Sequence, residues 1–308
     1  MKLYGVGNAL LYYREKENIT QEQLCEGICP IATLCRIETG EREFDSLISD
    51  TLLSRLGKTA NRFEFVLNEE DYVLYDTREK IENSIKNRNV EEVEHLIEKY
   101  EKLMPQNQIL HQQFITFYKA MVLKEKGKKE EVINMLHEAI NMTKPDYKEN
   151  SDNLKLYSVI EIKIIYELFQ YEKYEEENLN SLFQYMNRFF DEEEKASSFV
   201  PFMYQLVLQH EEKEKYMEAI KIAEKAIDTL CNGKSYLYIA DLYFEKLKCE
   251  EKLYNGTKQW KNRMKENYEM CNDIFYMYMV EENLDKMNQI DKFCEEKLGC
   301  QIIKPEIL

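Results

Sequence analysis

The 308 residues carry 58 Asp and Glu against 42 Lys and Arg, and a formal net charge of −16 argues against a protein that coats nucleic acid by general basicity. Nine glycines and five prolines are too few for a turn-rich sheet protein, and a chain this long buries a sizeable core and is expected to form two all-α domains. No run approaches the roughly 18 apolar residues of a membrane span; Phe199 to Leu208 is the longest and contains Pro201 and Gln205.

At the start, Leu3 to Tyr13 is only superficially like a signal sequence. Val6, Ala9, Leu10 and Tyr13 recur at helical spacing, no small-residue cleavage site follows, and Arg14-Glu15-Lys16 ends the run, so a helix from about Tyr4 to Lys16 in a cytoplasmic protein is expected. The stretch Asn18 to Gly40 then reads as two short helices joined by a tight turn. Thr20 caps the first helix, and Gln23 completes a capping box. Gly27, Ile28 and Cys29 make the corner, and Pro30 suits the first turn of the second helix, where its missing N–H is harmless. Leu24, Ile28, Leu34 and Ile37 are the apolar pairs by which the two helices pack. The outer side of the second helix carries Ile31, Ala32, Thr33, Cys35 and Arg36, a narrow surface suited to a major groove.

Ile19-Thr20-Gln21 opening the first helix, Arg36-Ile37-Glu38-Thr39-Gly40 closing the second, and Arg14 seven residues before Gln21 resemble the phage-repressor type of helix-turn-helix, the XRE or Cro class. The short turn Glu26-Gly27-Ile28-Cys29 is more specifically similar to the PlcR-like regulators that answer to signalling peptides. The resemblance implies an internal ion pair between Arg14 and Glu38, with a structural role. Cys25, Cys29 and Cys35 lie close enough to raise a metal or redox cluster, but Cys25 sits where a small residue packs and Cys35 falls on the outer side, so no metal is expected.

Residues 1–66 hold eight Lys and Arg and ten Asp and Glu, net −2, leaving −14 for the remainder. Phosphate contacts must then come from a few groups, Gln21, Arg36, Arg42 and Lys58, and salt dependence should be shallow. The acidic remainder should lie away from the duplex. Glu41-Arg42-Glu43-Phe44 replaces the basic, proline-containing loop usual in this class. Asp45 is expected to cap a fourth helix, Ser46 to Leu56, and a fifth is expected over Ala60 to Leu67.

From Asp71 the pattern changes to paired helices: 71–87 with 90–103, 106–126 with 129–142, 148–171 with 174–190, 196–212 with 215–231, and 235–253 with 258–280, then a last helix over 282–298. Aligned on Val93, Val132, Leu179 and Ala219, the second helices repeat at 39, 47 and 40 residues, the mark of a helical-hairpin solenoid. Tyr216 to Ile227, with Ala219, Ala223 and Ala226 allowing close helix approach, resembles a tetratricopeptide repeat. The tail, Lys304 to Leu308, is expected to fray.

There is no glycine-rich phosphate loop, no HExxH and no nucleophile with a partner set, so no enzyme and no cofactor is expected. Solenoid grooves bind extended peptides or partner helices through the first helix of each pair. Gln112, Gln113, Asn153, Tyr157, Glu161, Tyr204, Gln205, Tyr238, Asp241 and Glu245 are the polar or aromatic residues expected to face that groove, although tyrosines in such helices also simply pack.

The expectation is therefore an all-α chain. A five-helix, lambda-repressor-like reader over 1–66, a linker over 67–76 and a tetratricopeptide-like α-solenoid over 77–308 make it up. The whole arrangement is similar to the peptide-pheromone-responsive regulators of Gram-positive bacteria. That resemblance implies a homodimer on a two-fold DNA operator, with no membrane partner, and a short signalling peptide in the repeats that alters the spacing of the readers. Gln21, Ile31, Ala32, Thr33, Arg36 and Arg42 would contact DNA. The alternative is a protein-interaction scaffold whose helix-turn-helix no longer binds DNA.

Overall fold

The structure is a computed structural model that describes residues 6–41, 46–58, 69–105, 108–149, 154–172 and 176–303. The described residues are helical, with no strand among them, as the composition implies. The chain divides into two compact units, Met1–Phe189 and Phe190–Leu308.

Unit 1 begins with α1 (Val6–Lys16), α2 (Gln21–Cys25), α3 (Ile31–Glu38) and α4 (Ser46–Arg55). Leu10, Leu24, Leu34, Ile37, Leu52 and Leu53 form their shared core, each at most 1% exposed. A Cβ on Gly7 would lie 1.9 Å from the Ile37 carbonyl oxygen, so glycine sets how closely α1 crosses α3. The expected cap Asp45 and the expected helix over Ala60 to Leu67 lie outside the described residues.

Two hairpins follow, α5 (Glu69–Lys86) with α6 (Val90–Leu103) and α7 (Ile109–Glu125) with α8 (Lys129–Thr143), and then α9 (Val159–Tyr171), packed on α8, and α10 (Asn180–Phe189). In α6, Val93, Leu96, Ile97 and Tyr100 fall at the spacing of one helical face and are all buried. The expected helix over 148–171 starts later, at Val159. Ser158 and Glu161 form a capping box there, and Lys155 is drawn inward to the Asp146 and Glu149 carbonyls. Helix α4 packs against α5, α7 and α9, so the reader segment and the first repeats share one unit.

Unit 2 consists of α11 (Glu192–Ser198), α12 (Val200–Glu212), α13 (Tyr216–Asn232), α14 (Ile239–Tyr254), α15 (Lys258–Asn262), α16 (Met264–Val280) and α17 (Leu284–Phe293). Helix α13 lies between α12 and α14, with Ala219, Ala223 and Ala226 completely buried, as the repeat pattern anticipates. Phe244, Leu247, Trp260, Cys271, Ile274, Phe275 and Tyr278 make a second core. The expected last helix ends as α17 and a single π-helical turn over Cys294–Leu298. The strand of chain beyond it is strapped to α16: Tyr268 Oη donates to the Gln301 carbonyl at 2.9 Å and the Ile303 amide donates to Asn272 Oδ1 at 2.9 Å. Lys304 to Leu308 lie outside the described residues. Among the described residues no helix is long and apolar enough to cross a membrane.

Candidate functional site

The helix-turn-helix is built from its caps inward. The Gln23 amide donates to Thr20 Oγ1 at 3.1 Å and the Thr20 amide to Gln23 Oε1 at 2.9 Å, closing the expected capping box. Pro30 stands at the N-cap of α3 with extended backbone, one position before the first turn. Gly27 has φ +69°, and a Cβ there would lie 2.2 Å from the Thr143 carbonyl oxygen. The corner of the motif is thus pressed on the end of α8, and only glycine fits.

Glu38 is 3% exposed and organises the inner side of α3. Arg14 grips it in a fork, Nε to Oε1 at 2.7 Å and Nη2 to Oε2 at 3.0 Å, and its third donor reaches the Ile19 carbonyl at 3.0 Å. The hydrogen bond to Glu38, offset by burial, raises the guanidinium pKa. This is the ion pair the resemblance implies. Gln21 joins it, Nε2 donating to Glu38 Oε2 at 2.7 Å. One of the two amide N–H groups of Gln21, expected to hold a phosphate, is thus spent on a buried carboxylate.

With that side of α3 fixed, its other side is presented outward. Ile31, Ala32, Cys35 and Arg36 are exposed and Thr33 is half-buried, so four of the expected contact residues share one face. Among the described residues Arg36 has no ion-pair partner. Arg42 lies outside the described residues, and Lys58 stands over the Tyr13 ring, 5.1 Å from its centroid.

Behind the helix-turn-helix lies a buried polar junction that no sequence pattern marks as a whole. Arg55 is completely buried at the end of α4. Its Nη1 donates to the Leu24 and Glu26 carbonyls at 3.1 and 2.5 Å, and Nη2 to Glu161 Oε1 at 2.7 Å. Glu161 also accepts from the Ser158 amide at 2.6 Å. Burial pushes its carboxyl up, but Arg55, Lys144 and the Ser158 amide outweigh burial and hold it below the usual carboxylate range. Lys144, also fully buried, reaches Glu26 Oε2 at 2.5 Å. Tyr185 Oη donates to the Ser54 carbonyl at 2.7 Å, and Arg78 Nη2 to Ser46 Oγ at 3.0 Å. A single signal for this was present: an arginine inside the apolar run Leu52-Leu53-Ser54-Arg55-Leu56.

The expected groove residues separate into two groups. In unit 1, Gln112 is exposed and Asn153 lies outside the described residues. Gln113, Tyr157 and Glu161 are corrected to interior positions. Gln113 Nε2 donates to the Ala139 carbonyl and to Thr143 Oγ1, Tyr157 packs on Tyr185 at 5.6 Å between centroids, and Glu161 belongs to the junction. In unit 2, the structure brings Tyr204, Tyr238, Asp241 and Glu245 together from α12 and the head of α14, with Tyr204 and Glu245 buried rather than open and Gln205 half-buried beside Tyr204. Among the described residues no three His, Cys, Asp or Glu side chains are grouped to hold a metal ion.

No family model matches the chain, and no curated protein matches it. Solved structures do. The crystal structure of PlcR from Bacillus thuringiensis, in complex with the peptide PapR7 and DNA, superposes with a TM-score of 0.50 at 18% identity, covering 92% of this chain and 98% of that one. The apo form of the competence regulator ComR from Streptococcus vestibularis gives 0.44 at 15% identity, covering 95% and 97%. ComR from S. thermophilus, with DNA and its signalling peptide ComS, gives 0.40 at 18%, covering 96% and 100%. The first of these likenesses establishes a shared fold: a repressor-type helix-turn-helix followed by tetratricopeptide-like hairpins.

Proposed function

We propose that this chain is a sequence-specific DNA-binding transcriptional regulator that acts as a homodimer on a two-fold operator and is gated by a short peptide bound in its repeats. The reader comprises residues 1–66, residues 67–76 link it to the repeats, and residues 77–308 sense the ligand. The observation that carries the reading is α3. Its inner side is locked by Arg14 and Glu38, and its outer side offers Ile31, Ala32, Thr33 and Arg36 to a groove. Thr33 and Arg36 read base edges, and Ile31 or Ala32 touches a thymine methyl. Arg42 contacts the backbone. The shared fold supports this reading, since PlcR was crystallised with both a peptide and DNA.

The junction supplies a physical route for gating. Arg55 and Lys144 tie the helix-turn-helix corner, at the Leu24 and Glu26 carbonyls and the Glu26 carboxylate, to the start of α9 and the end of α8. A ligand that favours one arrangement of the repeats therefore changes the reader's position through the Arg55–Glu161 pair, buried on both sides, and the Lys144–Glu26 pair, buried on the lysine side. The test is binding of full-length protein to duplex fragments flanking its own coding region, at two salt concentrations. Salt-tolerant preference for one fragment supports a specific regulator. Equal binding to all fragments that salt erases, or none, overturns it in favour of an interaction scaffold.

A further inference from the structure

Four of the five expected groove residues of unit 2, Tyr204, Tyr238, Asp241 and Glu245, form one feature with neighbours that no sequence pattern singled out. The rings of Tyr204 on α12 and Tyr238 at the head of α14 lie 5.2 Å apart, tilted by 33°. Tyr238 holds φ +64°, a left-handed conformation that an aromatic residue rarely adopts. One turn into α14, Asp241 Oδ1 accepts from Tyr278 Oη of α16 at 3.1 Å and pairs with Lys286 Nζ of α17 at 3.2 Å. A further turn on, Glu245 is 3% exposed and lies against Lys248, which also reaches Glu211 Oε2 at 3.5 Å. Glu245 Oε2 is buried without a hydrogen-bond donor, because the Lys248 ammonium touches it outside bonding geometry.

The charges here do not balance. Asp241, Glu245, Glu211 and Glu281 are four carboxylates, and Lys248 and Lys286 are two ammonium groups. The acids respond accordingly. Burial first, and then Glu211 against the offset of Lys248, pushes Glu245 up to about 7. Burial with Asp241 and Glu245 raises the Tyr204 and Tyr278 hydroxyls, and burial with Asp241 raises Glu281. Glu245 and Glu281, together with the two tyrosine hydroxyls, are displaced toward their protonated forms, which marks a place short of positive charge. Two tyrosine rings beside carboxylates are also the setting in which an ammonium or guanidinium gains from ring faces and charge together.

We infer that this face takes a cationic group of the bound peptide, held by the rings of Tyr204 and Tyr238 and by the carboxylates of Asp241 and Glu245. The inference rests on the reading that the repeats bind a peptide, and it names the chemistry that peptide carries: a lysine or arginine side chain, or a free N-terminal ammonium. Tyr238 and Asp241 are half-buried and reachable from solvent, and Glu245 lies beneath the surface.

The probe is a random heptapeptide pool, in free-amine and N-acetylated forms, affinity-selected on the full-length protein and read by mass spectrometry. The acetylated pool is expected to retain peptides with Lys or Arg at one position, and norleucine there should weaken binding about tenfold. If the free-amine pool alone is retained, the cation is the terminus. Glu245→Gln, checked for folding by circular dichroism, should abolish the preference in either case. Retention of both pools with no Lys or Arg bias leaves the peptide reading standing and overturns the cation. Retention of neither pool above the heat-denatured protein overturns both.

Discussion

Replacing Glu161 by Gln removes one charge from the junction and little else, since a glutamine oxygen still accepts from the Ser158 amide and preserves the start of α9. Arg55 is then left completely buried, with the Leu24 and Glu26 carbonyls as its remaining partners. Breaking a buried ion pair by neutralising one member costs about 3–5 kcal/mol. The two carbonyls keep part of the guanidinium satisfied, so the lower end, about 3 kcal/mol, is expected. For a unit of this size that corresponds to roughly 6–12 °C in melting temperature. Urea unfolding followed by far-ultraviolet circular dichroism measures it. A cycle with Arg55→Met should show the double variant recovering much of the loss, because no unpaired charge remains buried. The pH dependence has a defined sign. Glu161 is held below its unfolded value, so its stabilisation is present above the ordinary carboxylate range and disappears as pH falls through the lowered value; E161Q should lack that acid-side loss. A loss below about 1 kcal/mol would refute the reasoning.

Other outcomes follow from the same contacts. Gly27→Ala should destabilise unit 1 by at least about 1–2 kcal/mol for the left-handed backbone alone, with the Thr143 carbonyl clash added, as read by the same urea titration. Glu245 has the opposite linkage from Glu161: its folded value is raised to about 7, so unit 2 gains stability as pH falls from 8 toward the ordinary carboxylate range. Glu245→Gln should stabilise unit 2 at pH 8, by an amount on the order of 2–3 kcal/mol, and flatten its gain in stability on acidification. An unchanged pH profile in the differential scanning calorimetry of E245Q would contradict this.

The reader is legible in the sequence because its determinants are local. A cap with its partner three residues on, a glycine at a left-handed corner and apolar residues one turn apart report on backbone within a few residues of themselves. The alanines of α13 are legible for a related reason, as small residues at helical spacing predict close helix contact. What fails is assignment of faces that depend on distant chain. Tyr157 and Glu161 read as groove residues because polar and aromatic side chains at the head of a first helix often are; α4 and α10, far away in sequence, cover them instead. Arg55 is missed for the same reason, since its partner is 106 residues away. The helix expected from 148 fails more simply: the Ser158 to Glu161 capping box is visible in the sequence and marks the true start. In unit 2 Tyr204, Tyr238, Asp241 and Glu245 come together, but Tyr278 and Lys286, which join them, come from later helices with no pattern to connect them.

The central claim is that α3 reads DNA bases, and one measurement addresses it most directly. Binding of wild-type protein and Arg36→Ala should be compared on the preferred duplex and on a set with each base pair of the half-site exchanged. The account predicts that the wild type discriminates at one position through Arg36, and that the variant relaxes discrimination there by about 1–3 kcal/mol while keeping its preferences elsewhere. Identical preferences in the two proteins, or a uniform loss at every position, would contradict it.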